Sequence, residues 1–305
     1  MSANINPDWA VIQYSSQFQL LLQRQPVLSA FAQQGSYVGK QASPVNQIGA
    51  VAAQKVTTKF APMGRVDAPL DRRWVYPVDY ELPQLVDTLD ELRILGDPKS
   101  ALVENGLKAM GRAMDDELYQ AFFGIAQTGE QGGVAVPFGT GLTTTDAGNN
   151  VDVQFGAAAP TNLTVAKIRE GKRRLMFNNV DPSRDRLLMG VSPKEMDNLL
   201  SEVQVIDKDY EGIGAIVKDG IVQRILGVDI ILFNGITKDA DNLAGSSNQI
   251  PMWAQSGMHM GVWNGIKTDV TQRRDLGNIP WQVYCMGTFG ATRLEENKIV
   301  RIWAR

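Results

Sequence analysis

Few residues in this 305-residue sequence have the type and spacing that chemistry needs. The single histidine, His259, sits among Met258, Met260 and Trp263. A general base needs polar neighbours that tune its proton affinity, so these apolar flanks point to a packed or surface imidazole. Asp115, Asp116 and Glu117 are consecutive in a segment with helical periodicity. Adjacent helical positions point in different directions, so these carboxylates do not converge on one cation and read as a solvated or interface face. Asp207, Asp209, Glu211 and Gly212 match positions one, three, five and six of a calcium loop, but the twelfth position, where a bidentate glutamate is required, is Lys218. The glycine-rich run Gly133–Gly141 has no Lys-Ser/Thr after it and opens no helix, so it is not a phosphate loop. No Gly-x-Ser-x-Gly, His-Glu-x-x-His or Cys-x-x-Cys motif occurs. One cysteine, Cys285, excludes an internal disulfide and a multi-cysteine zinc site. The sequence therefore offers no catalytic, cofactor-binding or metal-binding residue.

Composition points away from several other classes. Net charge is −3, which argues against a general nucleic-acid binder. Arg72-Arg73, Lys172-Arg173-Arg174 and Arg273-Arg274 are short, scattered basic groups that read as solvated faces or ion-pair partners. Hydrophobic residues make up 44% and charged residues 21%, enough to bury a core. No apolar run reaches the roughly 18 residues a bilayer span needs, and Met1–Asp8 lacks the layout of a secretory signal. The chain is expected to stay in a reducing cytoplasm unless a larger assembly carries it out.

The element around which the rest is arranged is a long helix expected over 97–127. Asp97 and Pro98 suit its start, and Gly129 its end. Val103, Leu107, Met110, Met114, Leu118, Phe122 and Ile125 recur in steps of three and four, tracing one face. Glu104 with Lys108 and Arg112 with Asp116 are opposite charges four apart on the other. Before it, Asp8 is expected to cap a helix carrying Tyr14, Phe18, Leu21 and Leu22, and Pro26 to open a short second helix ended by Gly35. Between 49 and 82 the period becomes two. Val56, Thr58 and Phe60 form one expected strand, and Trp74, Tyr76, Val78, Tyr80 and Leu82 one face of another; the stretch between them, Ala61–Pro69, is rich in Pro and Gly. A two-stranded hairpin is marginal alone, so one this aromatic calls for a partner outside its own domain. After a loop or irregular hairpin over 129–160 come a helix over 161–178 with Val165, Ile168, Leu175 and Met176 on one side, a strand over 186–191 and a capping box, Ser192-Pro193-Lys194-Glu195, that opens a further helix. Strands are expected at 221–226 and 228–233. A polar loop over 237–248 and strands at 281–286 and 298–303, around a turn region at 287–290, complete the reading.

The order of these elements, with Asp115-Asp-Glu-Leu-Tyr-Gln-Ala-Phe-Phe-Gly124 closing the long helix, Ser192-Pro193 opening a later one, the run Ile213–Asn234 and the final Gly287–Arg301, resembles the major capsid protein of tailed double-stranded DNA bacteriophages. The resemblance implies an α+β fold with an N-terminal arm over 1–48, an extended β-hairpin loop over 49–82, a peripheral domain over 83–183 and 272–305 built on the long spine helix, and an inserted axial domain over 184–271. It implies inter-subunit contacts at Met63, Arg65, Asp67, Arg72, Arg73, Trp74, Tyr76 and Tyr80, and a spine core at Leu107, Met110, Met114, Leu118 and Phe122. The expected partners are further copies of the chain in hexamers and pentamers of an icosahedral head, a separate scaffolding protein, a portal, a decoration protein, and double-stranded DNA enclosed without sequence-specific binding. The expected location is the virion, after assembly in the host bacterial cytoplasm. No cofactor, membrane or enzymatic activity is implied. The alternatives are an encapsulin-type compartment shell and an α+β enzyme with an unrecognised site.

Overall fold

A computed structural model describes residues 22–55, 64–86, 99–139, 148–202, 217–218, 221–236, 238–239 and 247–305. A 3-10 turn, Leu28–Phe31, is followed by β1 (Gln33–Ser36), β2 (Ala42–Ile48), β3 (Leu70–Val75), β4 (Val78–Val86), α1 (Lys99–Phe123), β5 (Ala126–Thr128), β6 (Val134–Val136), β7 (Asn150–Val151) and α2 (Val165–Phe177). Then come β8 (Leu187–Val191), α3 (Pro193–Leu200), β9 (Val217–Lys218), β10 (Ile221–Val222), β11 (Arg224–Ile225), β12 (Val228–Leu232), β13 (Lys238–Asp239), β14 (Ser247–Ala254), β15 (Met258–Gln272), β16 (Trp281–Arg293) and β17 (Ile299–Ala304). Among the described residues the strands form four sheets, in the orders β1-β15-β16-β4, β11-β12-β8-β14-β17-β7 with β13 on β14, β2-β3-β5-β6, and the two-stranded β10-β9.

The helix α1 is the spine that the periodicity predicts, but its buried face turns along its length. The first half packs Leu102, Val103 and Met110 against Val283 and Cys285 of β16. Gly106 permits this, since a Cβ there would overlap the Cys285 sulfur. The second half buries Leu118, Tyr119 and Phe122 with Trp253, Met258, Met260 and Ile299, and Met114 packs at the edge. Each such burial contributes about 1.5–3 kcal/mol. Leu107 falls between the two contact faces and is 41% exposed, so within one subunit it is not a core residue. The helix ends at Phe123, because the next residues form β5; Gly129, at φ 91°, instead shapes the β5–β6 turn. Ile125, which continues the period by coincidence, is exposed. The expected start at Asp97-Pro98 and the strand at 56–60 lie outside the described residues, as do Tyr14, Phe18, Leu21 and the 207–212 carboxylates. The Glu104–Lys108 pair forms at 2.8 Å, whereas Asp116 is taken by Arg24 at 2.5 Å.

Other expectations change for identifiable reasons. Residues 287–290 are not a turn: β16 runs straight through them to Arg293. Gly290 is small because the Tyr76 carbonyl crosses there and a Cβ would overlap it. The strand expected over 74–82 breaks at Tyr76-Pro77, with β3 and β4 joining different sheets. Pro77 therefore lies outside both strands rather than on an edge strand. The 15-residue β15 was not legible, since its first part is buried on both faces and its last part exposed on both. It pairs along its length with β16, so a boundary at 271 cuts through a hairpin. Gly35 lies in β1 rather than ending a helix. Met176 is exposed, and Ser247 and Asn248 are buried in β14 rather than in a surface loop. The box at α3 forms as expected, with the Ser192 N–H donating to Glu195 at 3.2 Å.

Candidate assembly site

The extended hairpin grows from β2 and β3, which pair antiparallel from Ala42↔Val75 to Ile48↔Leu70. Its stem therefore begins earlier than residue 49. The Gly49 N–H donates to the Pro69 carbonyl at 2.7 Å and closes the ladder. The outer end carries apolar residues in solvent. The cross-strand pair Ile48 and Leu70 is 71% and 76% exposed, and Val51 and Val66 beyond it are exposed too. Arg65 and Asp67 form an exposed ion pair at 2.7 Å. A cavity of about 500 Å³ opens at this point between Asn46, Ile48, Leu70, Arg72 and Glu130.

The root of the hairpin is fixed within its own chain. β3 pairs with β5 through Arg73↔Thr128 and Trp74↔Gln127. The Trp74 indole N–H donates to the Gly129 carbonyl at 2.6 Å, and the Tyr76 hydroxyl to that of Gly132 at 2.9 Å. The Tyr80 hydroxyl donates to Glu117 at 2.5 Å, and its ring stacks on Phe289 at 4.8 Å. Arg73, expected at a subunit contact, is buried and faces Glu296 at 3.5 Å. Of the eight residues singled out, Arg65, Asp67, Arg72 and Tyr76 are exposed; Met63 lies outside the described residues.

Two polar anchors hold this root, and sequence reasoning missed both. The first is Arg293, on β16. Its Nε donates to both oxygens of Glu296 at 2.9 and 3.1 Å. Its Nη1 reaches the carbonyls of Ala121, Phe122 and Gly124, and its Nη2 that of Val136 at 3.0 Å. A guanidinium here satisfies the carbonyls left open at the C-terminus of α1 and complements the helix dipole. Burial pulls Arg293 below its usual range and pushes the Glu296 carboxyl up, while the two arginines pull Glu296 back down. The only signal in sequence was an Arg three residues before a Glu, which also suits a surface turn.

The second anchor is the acidic trio on α1, which is not a solvated face. Asp115 is fully buried and accepts from the backbone N–H of Val27 at 2.6 Å and of Ser29 at 2.9 Å. Asp116 holds Arg24, and Glu117 holds Tyr80. The three carboxylates diverge, as helix geometry requires: Asp115 and Asp116 tie segment 24–29 to the spine, and Glu117 ties β4. Other basic groups are likewise committed: Arg173 and Arg174 to Glu170, Arg273 to Asp275.

The family model of the phage capsid protein matches residues 7–304. The chain belongs to the phage capsid protein family. Among solved structures, it is similar to the cyanophage Pam1 capsid asymmetric unit, with a TM-score of 0.72 at 11% identity over 99% of this chain and 98% of that one. It is also similar to the capsid of cyanophage P-SCSP1u, with a TM-score of 0.70 at 12% identity over 98% and 94% of the two chains. The mature capsid of bacteriophage PhiM1 matches with a TM-score of 0.69 at 11% identity over 99% and 94%. At such identities the likeness shows the shared fold. No curated protein matches the chain by sequence. This phage capsid protein is a structural component of the virion, and its mixed helix and sheet architecture is the one the resemblance implied.

Proposed function

We propose that this capsid protein assembles with copies of itself, through hexamers and pentamers, into an icosahedral head that encloses double-stranded DNA. The observation that carries this reading is the hairpin: a stem fixed rigidly at its root whose outer end exposes Ile48, Leu70, Val51 and Val66. Apolar side chains grouped on a projecting ribbon mark a surface that a partner covers, and in a shell of identical subunits that partner is a neighbouring copy. The exposure of Arg65, Asp67, Arg72 and Tyr76 supports their contributing to the same contact. Residues 83–183 and 272–305 serve as the peripheral domain and 184–271 as the axial domain; the β15–β16 pairing favours assigning β15 to the former. A net charge of −3 suits a wall that contains DNA without reading its sequence. A separate scaffolding protein, a portal and a decoration protein complete the proposed assembly, which takes place in the host cytoplasm.

Deleting residues 62–68, the hairpin tip expected from the sequence, is expected to leave a folded subunit with unchanged circular dichroism and to abolish or sharply reduce shells in sedimentation. If the deletion unfolds the subunit, the hairpin belongs to its own core and the proposed contact is wrong.

A further inference from the structure

The N-terminal segment reaches the hairpin through β1, a four-residue strand laid parallel on the edge of β15, with Gln33↔His259 and Ser36↔Val262 at its ends. The Tyr37 N–H extends the ladder to the Val262 carbonyl at 3.0 Å. Past it, Val38 and Lys40 are exposed, and the chain then enters β2. Here the one histidine of the sequence has a specific place. His259 is 6% exposed, and its Nε2 lies 2.8 Å from the Tyr37 hydroxyl. The Tyr37 ring packs edge-on to the imidazole at 5.7 Å and against Trp263 at 5.5 Å. Gly35 and Gly261 leave no spare space: a Cβ at Gly35 would come within 2.7 Å of the Tyr37 hydroxyl and 3.0 Å of the His259 ring.

We propose that the Tyr37–His259 contact is an acid-sensitive latch, which holds 33–37 on the β15 edge at neutral pH and releases it when His259 takes up a proton. The Tyr37 hydroxyl and Nε2 of the neutral ring share one hydrogen bond, whose direction follows the ring tautomer. An imidazolium in this site would be a buried cation without a counter-ion, which is costly. The groups around it support this. β1 contributes Gln33 and the residue after it the Tyr37 phenol, β15 contributes Trp263, and β16 contributes Thr292, the cross-strand partner of His259; all are uncharged. Among the described residues on elements packed nearby, α1 carries Asp115, held by the Val27 and Ser29 N–H groups, and Glu117, held by Tyr80, while Arg73 on β3 and Arg293 on β16 face Glu296. Glu296 is already shared by the two arginines, so those three add positive rather than negative charge.

Burial holds the His259 imidazole below its ordinary value. Between that depressed value and about 6.5, the usual value for histidine, the released segment binds more protons than the docked one. Docking is therefore strongest above about pH 6.5 and weakens as pH falls through this window. The consequence for the subunit is a change in how the hairpin is tethered, since 33–41 is the strap between the Asp115-anchored segment and the hairpin stem.

Hydrogen exchange on the full-length protein between pH 8 and 5, corrected for the intrinsic rate, tests this. Amides of 33–37 are expected to lose at least about tenfold protection below pH 6 while those of β17 do not. His259→Gln, which keeps a neutral acceptor, is expected to remove the pH dependence. Protection of 33–37 that is flat with pH in the wild type, or an equal loss in His259→Gln, overturns the proposal. Should the variant fail to fold, the single His259 ring resonance of the wild type decides: titration well below 6.5, coincident with the loss of protection, supports the latch, and a free-histidine titration overturns it.

Discussion

Arg293→Ala is expected to destabilise the soluble subunit by about 3–5 kcal/mol, read as a shift in the midpoint of urea unfolding. Removing the guanidinium leaves the Glu296 carboxylate buried with only the longer 3.5 Å contact to Arg73. It also strands the carbonyls of Ala121, Phe122, Gly124 and Val136. Buried groups deprived of a partner cost more than the bond contributed when made. Glu296→Ala removes the other side of the pair. The double variant is then expected to be less destabilised than the sum of the two single ones, with a coupling of about 1–3 kcal/mol. Additive costs would show that the two side chains do not act as a unit.

Leu118→Asp is expected to abolish soluble folded subunits. Leu118 is fully buried where α1 meets Trp253, Met258, Met260 and Ile299. An aspartate there loses the apolar burial and places an unpaired charge among the side chains of this cluster, one turn from the buried Asp115 carboxylate, which together exceed about 4 kcal/mol and consume most of a typical domain's stability. The control is Leu107→Asp, on the same helix but 41% exposed, which is expected to leave the subunit folded. A soluble, cooperative Leu118→Asp subunit would contradict the placement of the buried face.

The spine helix was legible because its signal is local. A long run with apolar residues at helical spacing allows few other readings, and the α3 box is a short, self-contained pattern. Its limits came from what lies across from it. The turning of the buried face, which leaves Leu107 outside, follows from β16 covering the first half of α1 and β14 and β15 the second. No period within the helix encodes that. The β15–β16 hairpin was hidden for a related reason. Strand alternation is visible only when one face is wet, and β15 passes from fully covered to fully exposed. Glycines at 287 and 290 read as a turn because their roles lie elsewhere: Gly287 admits the Phe289 ring by local packing, and Gly290 the Tyr76 carbonyl from over 200 positions away. The polar anchors Asp115 and Arg293 bind backbone atoms far off in sequence, and such partners leave no motif. For the hairpin, the sequence expectation of a partner rested on the aromatic strand 74–82, whose Trp74 and Tyr80 are bonded within the chain; the exposed apolar residues are instead Ile48, Val51, Val66 and Leu70. Its stem was placed too late because Ala42–Ile48 includes Pro44 at a bulge, which breaks the alternation.

Electron microscopy of the purified full-length protein, alone and with a candidate scaffolding protein, tests the central claim most directly. Closed angular shells, or capsomers and tubes of regular width, are the expected result, lost on deletion of 62–68. Small monodisperse particles under both conditions, with the subunit folded, would contradict self-assembly through the hairpin.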